Sequence, residues 1–373
     1  METMPNKSPI KVLVISNYKD AFNSVRPEGE IFIGLQKAGI QMTIMTQANA
    51  AYVTLFKEAG IQIIDFHPTK KISWTAIQFI RKILKEGQFD LLHLFNSKAI
   101  TNGAFAAIGL PVKVLTYRGV IGGNSWWNLN SYLKHFHPSV DGITAVSKTI
   151  QIYLQGQLFW QKDRVQQYYK GQNLAWYKNV KKADLAEFDI PKNAFVVTCI
   201  ANNRRSKGIR FLIKSSYFLP KKLNIHFLLI GRDMDTKAHL RLLKNSPYID
   251  HFHLVGYRTD AINLLAASQV YIQPSEKNKE GLGKGILEAM SLGVPPIVTN
   301  SGGPKEFVTQ GKSGLLVPVN NPAAIANAIL QLFDNEPLRK QLGQGAIEVI
   351  RGEMSSDTSI LALKKIYESF IID

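Results

Sequence analysis

Short apolar runs alternate with longer amphipathic segments along the whole chain. In the first half, continuous apolar patterns predict strands at 11–16, 41–46, 61–66, 91–94, 112–116, 142–146 and 165–169. In the second half, strands are predicted at 195–201, 225–230, 251–254, 271–273 and 294–298. Helical spacing predicts helices at 31–38, 72–85, 209–217, 261–267, 284–292, 323–334, 338–351 and 357–370. This alternation is typical of doubly wound α/β domains.

The segments between these elements divide the chain. Residues 17–30 are polar and contain Pro27 and Gly29, which predicts a loop after the first strand. Residues 177–193 are polar and lysine-rich, and we interpret them as an interdomain linker plus a helix. A length of 373 residues fits two domains, each large enough to bury its own core.

Cysteine content and hydropathy indicate a soluble intracellular protein. Cys199 is the single cysteine, so the chain has no internal disulfide framework. It lies in an apolar run and is predicted to be a core residue. No apolar stretch precedes the first strand, and no run approaches 18 apolar residues, so we expect neither a secretory signal nor a membrane span. These features predict a cytoplasmic location.

The net charge of +17 is spread over both halves and favours anionic partners. Zinc-finger spacing, RNA-binding aromatic signatures and basic heptads are missing, so no nucleic-acid partner is expected. An anionic membrane surface or a phosphorylated lipid acceptor fits better, with a peripheral location at the membrane. Helix 72–85 carries an apolar stripe and a basic face, which suits either membrane contact or ordinary packing on a sheet; packing is favoured.

The stretch 271–303 concentrates the candidate chemistry. A strand ends at Gln273, a polar loop follows, and Gly281 and Gly283 precede a helix that begins at Lys284. The unpaired N–H groups and the dipole at such a helix start suit an anion, most simply a phosphate. The glycines allow close approach of a ligand to the backbone, and Lys284 adds a positive charge.

Two carboxylates, Glu280 and Glu288, frame this loop with seven residues between them. In a continuous helix they would be roughly 12 Å apart. A hydrolytic carboxylate pair is closer, at about 5 to 9.5 Å. We therefore interpret them as binding the two ends of one long ligand, for which a sugar nucleotide has the length and the hydroxyl groups.

The motifs Glu280-Gly281-Leu282-Gly283, Glu288-Ala289-Met290 and Leu292-Gly293 resemble the E-x7-E signature of the retaining glycosyltransferases of family 4. That resemblance implies the GT-B fold, in which two Rossmann-like α/β domains face each other across a cleft and a C-terminal helix crosses back to the N-terminal domain. The implied domains are an acceptor domain over 1–175, a nucleotide-sugar donor domain over 176–355 and the returning helix over 356–373.

The resemblance also implies roles for residues of the second domain. Glu280 would lie beside the transferred sugar, and Glu288 would bind the ribose hydroxyls. Lys207-Gly208 resembles the pair that holds the diphosphate, with the loop of Gly281, Leu282, Gly283 and Lys284 assisting. The family's arginine position is occupied by Asn202, so either Arg204 or Arg205 would substitute, and the sequence does not distinguish them.

Three residues of the first domain are candidates by the same resemblance. Gly29 is the nearest match to a loop glycine that faces the sugar or acceptor. Arg118 stands where a histidine is common; an arginine can neutralise a phosphate or fix a hydroxyl but cannot shuttle protons at neutral pH. Trp126, in an aromatic and glycine-rich segment, would stack on an acceptor sugar, touch lipid or simply pack. His93, on a strand, is predicted to be a hydrogen-bonded core histidine.

The implied activity is transfer of a sugar from a nucleotide-sugar donor, either UDP- or GDP-linked, to a hydroxyl of a glycan or lipid-linked acceptor in cell-envelope polysaccharide synthesis. No metal or organic cofactor is expected; the Asp233-x-Asp235 pattern lies in an ordinary polar loop. Two alternatives remain open, a non-hydrolysing nucleotide-sugar epimerase and a non-catalytic sugar-nucleotide-binding protein of the same fold.

Overall fold

The computed structural model describes residues 8–19, 22–158 and 161–371. Within these residues the chain forms two compact units. The first unit runs to Lys170 and resumes at Ser356, and the second spans Gly171–Ser355. Each unit is built around its own parallel sheet.

The sheet of the first unit has the strand order β3-β2-β1-β4-β5-β6-β7, with every pair parallel. Its strands are β1 Lys11–Ile15, β2 Gln41–Thr46, β3 Gln62–Asp65, β4 Leu91–Leu94, β5 Lys113–Arg118, β6 Gly142–Ala145 and β7 Val165–Gln167. The intervening helices are α1 Phe22–Lys37, α2 Val53–Glu58, α3 Trp74–Gly87, α4 Ser97–Ala106, α5 Leu129–Tyr132 and α6 Lys148–Gln155.

The second unit repeats the plan with the order β10-β9-β8-β11-β12-β13. Its strands are β8 Phe195–Ile200, β9 Ile225–Ile230, β10 Phe252–Gly256, β11 Val270–Gln273, β12 Pro296–Thr299 and β13 Leu315–Val317. Its helices are α7 Ile209–Ser215, α8 Lys237–Lys244, α9 Ala261–Ala266, α10 Lys284–Ser291, α11 Pro322–Phe333 and α12 Glu336–Arg351. The strand order reverses between β8 and β11, which makes that pair the topological switch point of this sheet.

Strand β1 explains why the central strands are continuously apolar. Val12 and Val14 pack into a core on one face of the sheet, and Leu13 and Ile15 pack into a second core on the other face. Helices cover both faces of a parallel sheet, so neither side of a central strand meets water. The predicted α/β class is therefore confirmed in both units.

A final helix, α13 Ser356–Ile371, returns to the first unit. Leu363, Ile366 and Tyr367 enter the core that also contains Val12 and Val14. The Tyr367 hydroxyl lies 2.8 Å from Nδ1 of His93, whose Nε2 lies 2.9 Å from the Thr144 hydroxyl. His93 is thus a buried, hydrogen-bonded core residue, as predicted, and Cys199 is likewise buried.

Two predictions from local sequence are wrong. Residues 22–30, expected in a loop, form the first turns of α1, with Pro27 inside the helix; residues 20 and 21 of that loop lie outside the described residues. Tertiary packing outweighs the breaker residues, because Val25, Pro27 and Gly29 are buried. The linker segment 177–193 contains a 3-10 turn at Ala186–Phe188 in place of the expected helix.

Helix α3 packs on the first sheet through Ala76, Ile77, Ile80 and Leu84, which are buried. This agrees with ordinary surface-helix packing. Trp74, the first residue of α3, is 71% exposed and lies outside this buried stripe.

Three histidines stack at the edge of the second sheet. The rings of His226 and His251 have centroids 4.2 Å apart, and Nδ1 of His226 lies 2.9 Å from Nε2 of His253. Burial, followed by the neighbouring imidazoles of His251 and His253, lowers the pKa of His226 to about 4. The imidazole of His226 is therefore neutral at pH 7.

Candidate active site

A cationic loop follows β8 at the switch point of the second sheet. It contains the 3-10 turn Arg205–Lys207 and ends at Gly208, which has a φ of +68° and immediately precedes α7. A Cβ at Gly208 would lie 1.9 Å from the carbonyl oxygen of Pro274. Only glycine lets this loop approach the loop after β11 so closely.

The two switch-point loops are joined by an ion pair. Nζ of Lys207 lies 2.6 Å from Oε2 of Glu280, and their side chains are 25% and 11% exposed. The same carboxylate oxygen accepts a hydrogen bond of 3.1 Å from the hydroxyl of Ser275. The backbone also connects the loops, since the Glu276 amide donates to the Ser206 carbonyl at 2.9 Å. The predicted sites Lys207 and Glu280 therefore meet in space.

The loop between Glu280 and Glu288 packs against the adjacent glycines Gly302 and Gly303. The amide of Gly303 donates to the carbonyl of Glu280 at 3.1 Å. A Cβ at Gly302 would lie 2.4 Å from the carbonyl oxygen of Glu280, and one at Gly303 would lie 1.8 Å from that of Gly281. These contacts fix the backbone of the loop at the start of α10.

Helix α10 presents the second carboxylate. Gly283 precedes it with φ of +83°, and Lys284 and Glu288 are joined by an ion pair of 3.1 Å. Glu288 is 6% exposed. Burial raises the pKa of the Glu288 carboxyl, although the Lys284 ammonium acts in the opposite direction. Glu280 lies in the loop outside the helix, so the helical spacing considered from the sequence does not describe this pair.

The two candidate arginines differ in their surroundings. The Arg205 side chain is 84% exposed, with Nε 3.8 Å from a Glu276 carboxylate oxygen. That same oxygen accepts a charge-assisted hydrogen bond from Arg210. Arg204 is exposed at the start of the 3-10 turn. Both arginines lie next to Lys207 on the cationic loop, and neither side chain is buried.

The structure gives Arg118 a local role. Its Nε donates to the carbonyl of Val120 at 2.9 Å, and its Nη2 donates to the carbonyl of Gly122. The guanidinium therefore holds the glycine-rich segment that follows β5. Trp126, in that segment, is 43% exposed.

Gly29 does not lie in a loop. It is buried inside α1, and a Cβ there would lie 2.4 Å from the ring of Tyr52. Its lack of a side chain lets α1 pack on Tyr52. This replaces the expected loop glycine with a helix-packing glycine.

Several residues of the second-unit site were not singled out from the sequence. Ser275, Glu276 and Arg210 have no motif of their own. Gly302-Gly303 did carry a signal, because adjacent glycines after a strand can mark a close backbone approach. Among the described residues, no group of three or more histidine, cysteine or acidic side chains could hold a metal ion.

The arrangement can bind an anion flanked by hydroxyl groups. Lys207 and the start of α10 supply positive charge, and two buried carboxylates supply acceptors. These groups lie at the carboxyl ends of parallel strands, at a switch point, where open α/β sheets bind ligands. Two parallel α/β units, the second of which carries this site, are the arrangement expected of a glycosyltransferase of the GT-B fold.

Comparison with known proteins agrees with this class. Residues 180–349 match the family described as Glycosyl transferases group 1, and residues 30–175 match Glycosyltransferase Family 4. Both matches are to family 4 glycosyltransferases, and the chain belongs to that family.

Individual relatives are distant. The chain is 25% identical over 300 residues to N-acetyl-alpha-D-glucosaminyl L-malate synthase of Bacillus anthracis, covering 78% of each. It is 26% identical over 286 residues to UDP-Gal:alpha-D-GlcNAc-diphosphoundecaprenol alpha-1,3-galactosyltransferase of Escherichia coli, covering 69% of this chain and 70% of that one. The crystal structure of Anabaena Alr3699/HepE in complex with UDP and glucose has a TM-score of 0.75 at 18% identity, covering 96% of this chain and 100% of that chain.

No helix in the described part of the chain combines the length and apolar character needed to cross a membrane.

Proposed function

We propose that the protein moves a sugar, with retention of anomeric configuration, from a nucleotide-sugar donor to a hydroxyl of a glycan or lipid-linked acceptor in cell-envelope glycan synthesis. One observation carries the proposal. Lys207 and Glu280 come from the two switch-point loops and meet at 2.6 Å, and the same segment leads directly to the buried Glu288. A cation paired with one carboxylate, on loops that lead to a second buried carboxylate, suits a diphosphate with a hydroxylated group at each end.

The second unit would bind the donor. Lys207, one of Arg204 and Arg205, and the first N–H groups of α10 would contact the diphosphate, Glu288 the ribose and Glu280 the transferred sugar. The bond from the sugar C1 to the phosphate oxygen breaks, the acceptor oxygen bonds to C1, and the acceptor's proton passes to the departing phosphate. Negative charge grows on the diphosphate in this step, so Lys207 stabilises the transition state.

A UDP-sugar is the first donor to test. The Escherichia coli relative is named for UDP-Gal, and the Anabaena structure contains UDP. The name of the Escherichia coli relative, which includes alpha-D-GlcNAc-diphosphoundecaprenol, also supports a lipid-linked acceptor. The proposed reaction needs no metal ion, because the lysine and arginine of the cationic loop would neutralise the charge of the diphosphate.

The donor assignment is tested by thermal stabilisation with UDP-, GDP-, ADP- and CMP-sugars. One nucleotide class is expected to stabilise the wild type, and Glu288→Gln and the pair Lys207→Met with Glu280→Gln are expected to reduce that shift. Lys312→Met, in an exposed turn, removes a lysine outside the site and is expected to keep the wild-type shift. Absence of a shift with every nucleotide sugar would refute the donor site. Retention is checked by NMR assignment of the anomer in the transferred product.

We also propose a peripheral association with an anionic membrane. The net charge of +17 and the exposed Ile72 and Trp74 beside Lys70 and Lys71 support it. Co-sedimentation with vesicles of phosphatidylglycerol and phosphatidylcholine tests it. Binding is expected to fall with Trp74→Ala and with added salt, and equal binding to purely zwitterionic vesicles would contradict it.

A further inference from the structure

Buried polar side chains follow one another along β11 and the segment after it. Tyr271 and Gln273 point to the same face of the strand, because residues two positions apart share a face, and Ser275 follows two residues later. The three residues are 0%, 2% and 2% exposed. A central strand of a parallel sheet is normally apolar on both faces, so polar groups at these alternate positions need a physical reason.

Hydrogen bonds join these side chains to Glu280. The Tyr271 hydroxyl donates to Oε1 of Gln273 at 2.8 Å, and Nε2 of Gln273 donates to the Ser275 hydroxyl at 3.1 Å. The Ser275 hydroxyl donates to Oε2 of Glu280 at 3.1 Å. Burial raises the pKa of Tyr271 well above its usual range, so its hydroxyl keeps the proton with which the series begins. We name Tyr271, Gln273 and Ser275 the β11 hydrogen-bond chain.

Every donor in the β11 hydrogen-bond chain points toward the Glu280 carboxylate. Aligned hydrogen bonds polarise one another, and a hydrogen bond to an ionised group is about twice as strong as one between neutral groups. Oε2 of Glu280 therefore has two fixed partners, the Ser275 hydroxyl and Nζ of Lys207. In the part of the chain that the structure describes, no donor contacts the other oxygen, Oε1. Oε1 is thus the oxygen left to accept a hydrogen bond from a ligand.

The surroundings hold both ends of the β11 hydrogen-bond chain. A Cβ at Gly285, in the first turn of α10, would lie 2.4 Å from the Tyr271 hydroxyl oxygen, so α10 rests directly on that hydroxyl. The Thr299 hydroxyl, at the end of β12, donates to the Ser275 carbonyl at 2.7 Å. With its two ends fixed in this way, the chain holds the Glu280 carboxylate in one orientation.

We propose that Ser275 is a positioning residue for sugar transfer. It holds the Glu280 carboxylate so that Oε1 faces the transferred sugar, and the rest of the β11 hydrogen-bond chain holds the Ser275 hydroxyl. A carboxylate that is already oriented loses less conformational freedom when it binds a sugar hydroxyl. The role concerns the sugar half of the donor and not the nucleotide half. The inference rests on the proposed function, since it needs a sugar beside Glu280.

The test compares a nucleotide sugar with its free nucleotide on the full chain. UDP-glucose, UDP-galactose, UDP-N-acetylglucosamine and GDP-mannose are titrated calorimetrically, alongside UDP and GDP. Ser275→Ala is expected to weaken binding of the nucleotide sugar about tenfold, the effect of losing one hydrogen bond to a charged group, and to leave binding of the free nucleotide unchanged. Ser215→Ala, which removes another buried hydroxyl that donates to the Leu212 carbonyl, is the control and is expected to change neither affinity.

Further variants show whether Ser275 acts through Glu280. In a Glu280→Ala background, Ser275→Ala is expected to cause no further loss, because two residues that serve one interaction are not additive. Ser275→Thr keeps the hydroxyl and is expected to restore the difference between nucleotide sugar and nucleotide. Gln273→Leu breaks the β11 hydrogen-bond chain one step farther from the carboxylate, and we expect a smaller loss in the same direction.

Each outcome separates this role from the donor site itself. Equal weakening of nucleotide and nucleotide-sugar binding by Ser275→Ala would reduce the residue to a structural part and refute the inference. A full additional loss in the Glu280→Ala background would refute it as well. Sugar recognition that depends on Glu280 but not on Ser275 refutes the inference and leaves the donor site standing. Failure of every nucleotide and nucleotide sugar to bind the wild type refutes the donor site, and the inference with it.

Discussion

Replacing Lys207 with methionine is expected to destabilise the second unit before any ligand is considered. The change leaves the carboxylate of Glu280, 11% exposed, with the hydroxyl of Ser275 as its remaining side-chain partner. Breaking a fully buried ion pair costs about 3–5 kcal/mol, and an exposed pair is worth about 0–1 kcal/mol. The pair lies between these limits, so the expected loss in the free energy of unfolding is about 2 kcal/mol.

A second substitution separates charge from packing. Glu280→Gln keeps the side-chain volume but removes the charge that Lys207→Met leaves unpaired. The double variant is therefore expected to be more stable than Lys207→Met alone and to lie within about 1 kcal/mol of the wild type. Urea denaturation is followed by hydrogen exchange of peptides from β8 and β11, which report on the second unit.

The reasoning is refuted if Lys207→Met unfolds at the wild-type urea concentration, or if adding Glu280→Gln lowers stability further. Lys312→Met controls for the loss of one positive charge. The result also determines how nucleotide titrations are compared. Ligand stabilisation must be expressed relative to each variant's own unliganded stability, since a bound ligand adds a term that depends on its concentration and dissociation constant.

Three further predictions concern single residues. Burial raises the pKa of folded Glu288, so the contribution of this carboxyl to stability falls as pH rises through that pKa. Urea unfolding is therefore expected to show that Glu288→Gln stabilises the unliganded protein more at pH 7 than at pH 4. Nucleotide titration is expected to show weaker binding by the same variant. Gly208→Ala is expected to cost about 3 kcal/mol or more, because its Cβ meets the Pro274 carbonyl at 1.9 Å, whereas Gly256→Ala, with the same φ of +68° and no atom within 4 Å of the added Cβ, costs about 1 kcal/mol. The depressed pKa of His226, about 4, predicts a loss of stability as pH falls from about 6.5 to 4, and His226→Leu is expected to remove that dependence.

Each of these predictions has a result that would contradict it. Equal pH dependence of Glu288→Gln and the wild type would show that the buried carboxyl does not bear the assigned proton affinity. Equal losses in the two glycine variants would mean that backbone conformation, and not the close approach of two loops, sets the requirement at Gly208. A wild-type acid midpoint in His226→Leu would assign the acid sensitivity to other groups.

The sequence predicts best the elements whose burial is uniform. β2, β4 and β9 match the predicted ranges residue for residue, because strands covered on both faces are rich in apolar residues. The start of α1 was missed since Pro27 and Gly29 are local breaking signals, and the packing of Gly29 on Tyr52 that overrides them comes from a distant segment. α4 was not predicted, because it is rich in small residues and lacks a clear separation of polar and apolar faces.

Within the candidate site, too, some features follow from local sequence and others depend on the folded structure. The glycine loop and the start of α10 follow from local sequence. The ion pair of Lys207 with Glu280 joins residues 73 positions apart, and it exists because β8 and β11 are neighbours at the switch point. A local pattern can name both side chains, but only the strand order brings them together. The hydrogen bonds of Arg118 to its own following loop depend likewise on the folded path of that loop.

The return of α13 to the first unit has a consequence for synthesis on the ribosome. The chain leaves the first unit at Lys170 and comes back only at Ser356, so that unit's core lacks Leu363, Ile366 and Tyr367 until the end of translation. The second unit is one continuous stretch of chain, so it can complete its folding first. The earliest residues made are thus the last to finish folding, and a nascent or truncated chain would expose an apolar groove and leave His93 without its tyrosine partner.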